Sequence, residues 1–185
     1  MEKNYKKVGT IDLVSNSNKS AGLAMVMVSD PCYESEANFS LILEVESGIY
    51  NCLIETKDCG EWGNRISRMA ILKDNFSIDF LNRNGVLENS VGVDSGTMSI
   101  SDCFYYDKYH LNNENDDEIA KRNDSWYEKN VCGWAMRKRY HIADCFSFIS
   151  NSGYGDGCYE VYSYTHNGTI VGIEVVFIDD DEDDE

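Results

Sequence analysis

The chain has 185 residues, 42% of them hydrophobic and 26% charged, which is enough apolar content for one ordinary core and too much for wholesale disorder. Its 33 acids against 16 bases give a formal charge of −17, which disfavours phosphate-led binding to DNA, RNA or an anionic membrane, since that binding needs Lys and Arg. The longest apolar run, residues 21–28, is far shorter than the ~20 residues a membrane-spanning helix requires.

In chain order, alternation predicts short strands at residues 10–14 and 23–28. Residues 39–45 and 49–54 read as a hairpin turning at Glu46-Ser47-Gly48, followed by a strand at 65–72. A second hairpin is predicted from residues 76–81 through Asn84-Gly85 to Val86-Leu87, then strands at 97–100 and 142–149. The strongest signal lies last: residues 158–165 and 168–177 flank His166-Asn167-Gly168, and Asn-Gly between two such runs marks a tight hairpin. Within it, Val171, Ile173, Val175 and Phe177 are expected on one face.

Roughly ten strands with Gly/Asn turns predict an all-β fold, or a β-dominated α+β one, built as an antiparallel sandwich or barrel. Residues 1–178 form a single β-rich domain with one polar insertion, 111–130, which carries a short helix around 116–122 or a long loop. Residues 179–185 are seven consecutive acids, expected to be a disordered brush, and they leave −10 on the body. The start of the chain lacks the apolar stretch of a signal peptide, so the expected location is the cytoplasm, that of a host cell if the chain is phage-encoded. Seven cysteines, an odd number with no Cys-x-x-Cys, argue against a disulfide framework or structural zinc, and most are expected to be small buried apolar residues.

Four Gly/Asp-rich elements stand out from the strand pattern. They are Ser29-Asp30-Pro31-Cys32-Tyr33, then Gly92-Val93-Asp94-Ser95-Gly96 leading to Asp102, then Asn151-Ser152-Gly153-Tyr154-Gly155-Asp156-Gly157-Cys158-Tyr159, and the last hairpin. In this order they resemble an uncharacterised family of bacterial and phage proteins. Its members carry an Asp-Pro motif, a Val-Asp-Ser/Ala-Gly turn and a late Ser-Gly-x-Gly-Asp-Gly-x-Tyr segment. The resemblance spans most of residues 8–178 and implies a common fold and a phage or bacterial source, without implying a reaction.

The motif residues Asp30, Cys32, Tyr33, Asp94, Ser95, Asp102, Tyr154, Asp156 and Tyr159 are the candidate binding set. The plainest role for Asp30, Asp94 and Asp156 is turn formation at strand ends. If Asp30, Asp94, Asp102 and Asp156 met at one rim, they would offer oxygen ligands for Ca²⁺ or Mg²⁺ and support a small metal-dependent hydrolase. Ala143-Asp144-Cys145-Phe146 is similar to the Asp-Cys element of cell-wall peptidases, with His166 as a base, but Phe146-Ser147 replaces the expected Ser-Gly. No dinucleotide, phosphate-loop or His-Glu-x-x-His signature is present.

The leading expectation is a non-enzymatic binding or inhibitor protein without a cofactor, acting on a protein partner with a basic surface, such as a host defence nuclease. The hydrolase is the first alternative. The second is a structural or immunity-type module that pairs through a sheet edge.

Overall fold

The computed structural model describes residues 3–14, 22–33, 40–110 and 126–179. Eleven strands dominate it: β1 (Lys6–Leu13), β2 (Leu23–Ser29), β3 (Leu41–Glu46), β4 (Gly48–Asp58), β5 (Asn64–Lys73), β6 (Val86–Val93), β7 (Thr97–Asp102), β8 (Tyr140–Ala143), β9 (Ser147–Asn151), β10 (Gly157–His166) and β11 (Thr169–Val176). Helix α1 is Cys103–His110, and α2 (Glu128–Ala135) has π-type winding and runs on as α3 (Met136–Lys138). The expected β-rich class therefore holds.

Antiparallel ladders join β6-β10-β11-β5-β4-β1 on one side and β3-β2-β7-β9-β8 on the other. A single parallel bridge, Ile170 to Val45, links the two at one end. At the other, the Asp12 N–H donates to the Cys145 carbonyl at 2.8 Å, so the sheet is an almost closed, flattened barrel. Here Gly9 is required by close approach: a Cβ on it would lie 2.1 Å from Ile142 Cδ1.

Alternation sorts the apolar side chains. Val26 and Val28 of β2, Tyr50 and Cys52 of β4, Met69 and Ile71 of β5, and Phe148 of β9 fill the interior. On the outside of the first ladder, Leu53, Ala70 and Leu72 pack under Phe80 and Leu81. On the outside of the second, Ala143, Phe146 and Ile149 are covered by Trp126, Val131 and Ala135. Both layers are thus buried on two faces for much of their area.

The last hairpin forms as expected, with Asn167 and Gly168 at φ 50 and 83, the geometry of a type I′ turn. One residue departs. The register runs Tyr164 to Gly172 and then Thr165 to Ile170, so Val171 is an extra residue in a β-bulge. The bulge flips its parity: Val171 joins the outer cluster, while Ile173, Val175 and Phe177 stay in the interior.

Three other expectations are corrected. β3 and β4 do not pair; Glu46-Ser47-Gly48 is a corner that carries the chain from one ladder to the other, with Gly48 at φ 129. Residues 76–81 are not a strand: Ile78–Asn82 is a 3₁₀ turn, and Phe76 meets Phe80 edge-on at 4.8 Å, a contact between residues four apart. β6 consequently pairs with β10 instead. Residues 142–149 are two strands, because Asp144 and Cys145 take φ 48 and 63 and Phe146 N–H closes the turn on the Ala143 carbonyl at 3.1 Å.

The proposed helix at 116–122 and residue 39 lie outside the described residues, as does most of the acidic tail; Asp179 is exposed. The described end of the insertion, from Trp126, is helical. No helix among the described residues is long and apolar enough to cross a membrane.

Candidate functional site

Three of the sequence motifs meet at one end of the barrel, and Asp30 organises the meeting. It follows β2 directly and is fully buried. Its Oδ2 accepts the backbone N–H groups of Asp94 and Ser95 at 2.8 and 2.7 Å. Its Oδ1 accepts the Cys32 N–H at 2.9 Å and the Ser95 hydroxyl at 2.7 Å. Four donors occupy the carboxylate, which is why an acid tolerates this burial. Asp30 thus fixes the 92–96 turn to the Asp-Pro loop as a structural latch.

Tyr33, on the same loop, donates its hydroxyl to Asp94, and its carbonyl accepts the buried Tyr106 hydroxyl at 2.8 Å. That bond to an anion pushes the Tyr33 phenol up to about 12. Asp94 itself is exposed. Beside it, Ser152 N–H donates to the Gly96 carbonyl at 3.1 Å, bringing the third motif alongside the second. A groove of about 370 Å³ results, lined by Tyr33, Val93, Asp94, Asp156 and Cys158. Asp94 and Asp156, both exposed, line it together with Tyr33 and the exposed Cys158, while Val93 is buried beneath it.

Tyr159 and Tyr154 divide the remaining work of the third motif. The Tyr159 hydroxyl donates to the Ser152 and Gly155 carbonyls at 3.0 and 2.6 Å, so this buried ring shapes the loop from beneath. Tyr154 projects outward, 55% exposed, and meets Trp62 edge-on at 6.4 Å.

Asp102 does not join the group. It stands opposite Val26 in the β2–β7 ladder, at the other end of β7 from the groove. Its Oδ1 accepts the Phe104 and Tyr105 N–H groups at 2.9 and 3.3 Å, an N-cap for α1, and its Oδ2 accepts the Val14 N–H at 2.8 Å. Burial nevertheless raises its carboxyl above the ordinary value, against those three N–H bonds. The four-aspartate rim is thereby corrected: Asp30 and Asp102 are spent on backbone donors at separate places. No group of three or more His, Cys, Asp or Glu among the described residues is placed to hold a metal ion.

The cysteines also differ from expectation. All seven are free, and only Cys52 is buried; Cys32, Cys132, Cys145 and Cys158 are exposed. Desolvation, with help from Asp30, pushes the Cys32 thiol up to about 12, the opposite of an activated nucleophile. Cys145 sits at the β8–β9 turn, whereas His166 packs on Phe76 at 5.2 Å on the outside of the other ladder. They do not form a pair.

One polar cluster escaped the sequence reading. Glu174 of β11 is buried on the outer face of its ladder and accepts the hydroxyls of Tyr5 and Tyr164. Lys3 Nζ lies 2.7 Å from its Oε2 and Arg68 Nη1 3.8 Å from its Oε1, while Arg68 Nε reaches Glu55 at 3.0 Å. Burial, then the Glu174 charge, raises the Tyr5 and Tyr164 phenols well above their ordinary values. Only the interruption of an apolar strand by Glu174 hinted at this cluster, which fastens the N-terminal segment to the sheet.

No protein-family model matches the chain, and neither curated proteins nor solved structures give a match. The likeness to the bacterial and phage family therefore rests on the motifs alone.

Proposed function

We propose that this chain is a non-enzymatic binding protein that receives a basic segment of a protein partner in the Tyr33/Asp94/Asp156 groove. One observation carries the reading: two exposed carboxylates line one groove with the Tyr33 side chain, on a loop framework already locked by Asp30. An arginine or lysine lays its aliphatic stem against such an aromatic ring and its cationic head between the carboxylates. The −17 charge of the chain steers a cationic partner toward it. Nucleic-acid-binding proteins and nucleases present such cationic surfaces, and a host defence nuclease is the partner that the motif resemblance suggests.

Calorimetry with an octa-arginine peptide tests the groove. Binding should weaken about tenfold in the Asp94→Asn/Asp156→Asn double variant and fall steeply between 50 and 500 mM salt, as expected when close charge pairs supply ~1.4 kcal/mol or more. Equal affinity in the double variant, or indifference to salt, overturns the proposal.

A second reading has an observation of its own. Among the described residues β6 pairs only with β10, and it exposes Val86 and Leu87. An edge of this kind accepts an added strand. It predicts a salt-resistant oligomer in light scattering that Leu87→Lys dissolves; a monomer at all concentrations removes it.

A further inference from the structure

Outside the acidic groove, the residues around Trp62 form a cationic and aromatic cleft, which the third motif reaches through Asn151 and Gly153. Trp62, Arg65, Arg139 and Asn151 line a cavity of about 200 Å³ between the start of β5 and the end of β9. Trp62 is 68% exposed, with the Tyr154 ring in a T-shaped contact at 6.4 Å. Arg65 Nε donates to the Trp62 carbonyl at 3.1 Å, and Arg139 Nη1 donates to the Asn64 carbonyl at 2.6 Å. These bonds orient both guanidinium groups while leaving their other nitrogens without hydrogen-bond partners among the described residues. No ion pair of the described residues includes either arginine, although acids outnumber bases 33 to 16 in this chain.

We infer that this cleft binds a nucleoside monophosphate, its phosphate between Arg65 and Arg139 and its base on the Trp62 indole. Planar guanidinium groups match phosphate oxygens two at a time, and an exposed indole accepts any base by stacking. The cavity takes the phosphate and sugar, and the base lies on the indole at its mouth. A polynucleotide is disfavoured because its remaining phosphates would face a chain of charge −17.

Calorimetry of the full chain with adenosine and guanosine monophosphate tests this, with adenosine, ribose 5-phosphate, inorganic phosphate and a deoxyadenosine decamer as comparison ligands. A monophosphate should bind one to one, at least tenfold more tightly than adenosine, ribose 5-phosphate or phosphate alone. Arg65→Gln and Trp62→Ala, both surface changes whose folding is checked by circular dichroism, should each weaken it about tenfold, while Asp94→Asn should not. Absence of binding by either monophosphate, or unchanged affinity in folded Arg65→Gln and Trp62→Ala, overturns the inference. Tighter binding of the decamer overturns the mononucleotide assignment in favour of single strands.

Discussion

The Ser95 hydroxyl donates to Asp30 Oδ1 at 2.7 Å across 65 residues of chain, and the Ser95 backbone N–H donates to the other oxygen of the same carboxylate at 2.7 Å. Two motifs distant in sequence are thereby one structural unit. Replacing Asp30 by Ala leaves buried donors unsatisfied and should lower stability in urea titration by ~3 kcal/mol. Asp30→Asn, which keeps one acceptor oxygen and presents an amide to the other donors, should also be destabilising, but by less.

His141 provides a pH dependence. Its Nε2 lies 3.2 Å from Asn130 Oδ1, and its ring stacks on Trp134 at a centroid distance of 5.6 Å. Desolvation lowers its pKa from the ordinary value, with Lys138 and Lys129 acting in the same direction and Asp144 opposing. The unfolded chain then binds more protons than the folded one in the window below about 6.5, so stability rises with pH through that window. Urea midpoints at pH 5 and pH 7 should differ less in His141→Gln than in the parent.

At the barrel seam, Gly9→Ala would place a methyl group against Ile142 Cδ1. The substitution should cost ~1 kcal/mol by overpacking, and Ile142→Val, which deletes that atom, should recover most of the loss. A double-mutant cycle of thermal midpoints checks this. Simple additivity would mean that the two strands can part without penalty.

Cys32 should resist alkylation despite its exposure. With its thiol pushed up to about 12, far less of it is thiolate at pH 8 than of an ordinary cysteine. Iodoacetamide labelling followed by peptide mass spectrometry should find Cys32 modified far more slowly than a cysteine in a short peptide. Asp30→Asn removes the nearby charge and should speed the reaction.

The parts of this fold that were legible in the sequence are those decided locally. Asn167-Gly168 sets its own turn, and the alternation in β10 and β11 follows from it. The corner at Gly48 carries the same local signal as a hairpin, yet long-range pairing sends β3 to β2 and β4 to β1 and β5. The turn at Asp144-Cys145 has no glycine, so nothing announced it. The site was legible in its parts: the Asp/Gly motifs were visible, and three of them do meet. Which carboxylates are spent on backbone N–H groups and which face solvent depends on the placement of β2 against β7. That is a tertiary fact. Likewise, Asp102 reads as a helix cap only once Cys103–His110 is known to be a helix.

β11 comes last of the eleven strands, yet it occupies the middle of its ladder, between β5 and β10, and makes the parallel bridge to β3. During synthesis, β5 therefore waits with an open edge while about a hundred further residues emerge between Lys73 and Thr169. A nascent chain stalled before residue 169 would lack the strand that joins β5 to β10 and bridges to β3, leaving interior faces wet. Closure of this sheet is thus a late event in folding, and premature termination would yield aggregation-prone fragments in place of smaller domains.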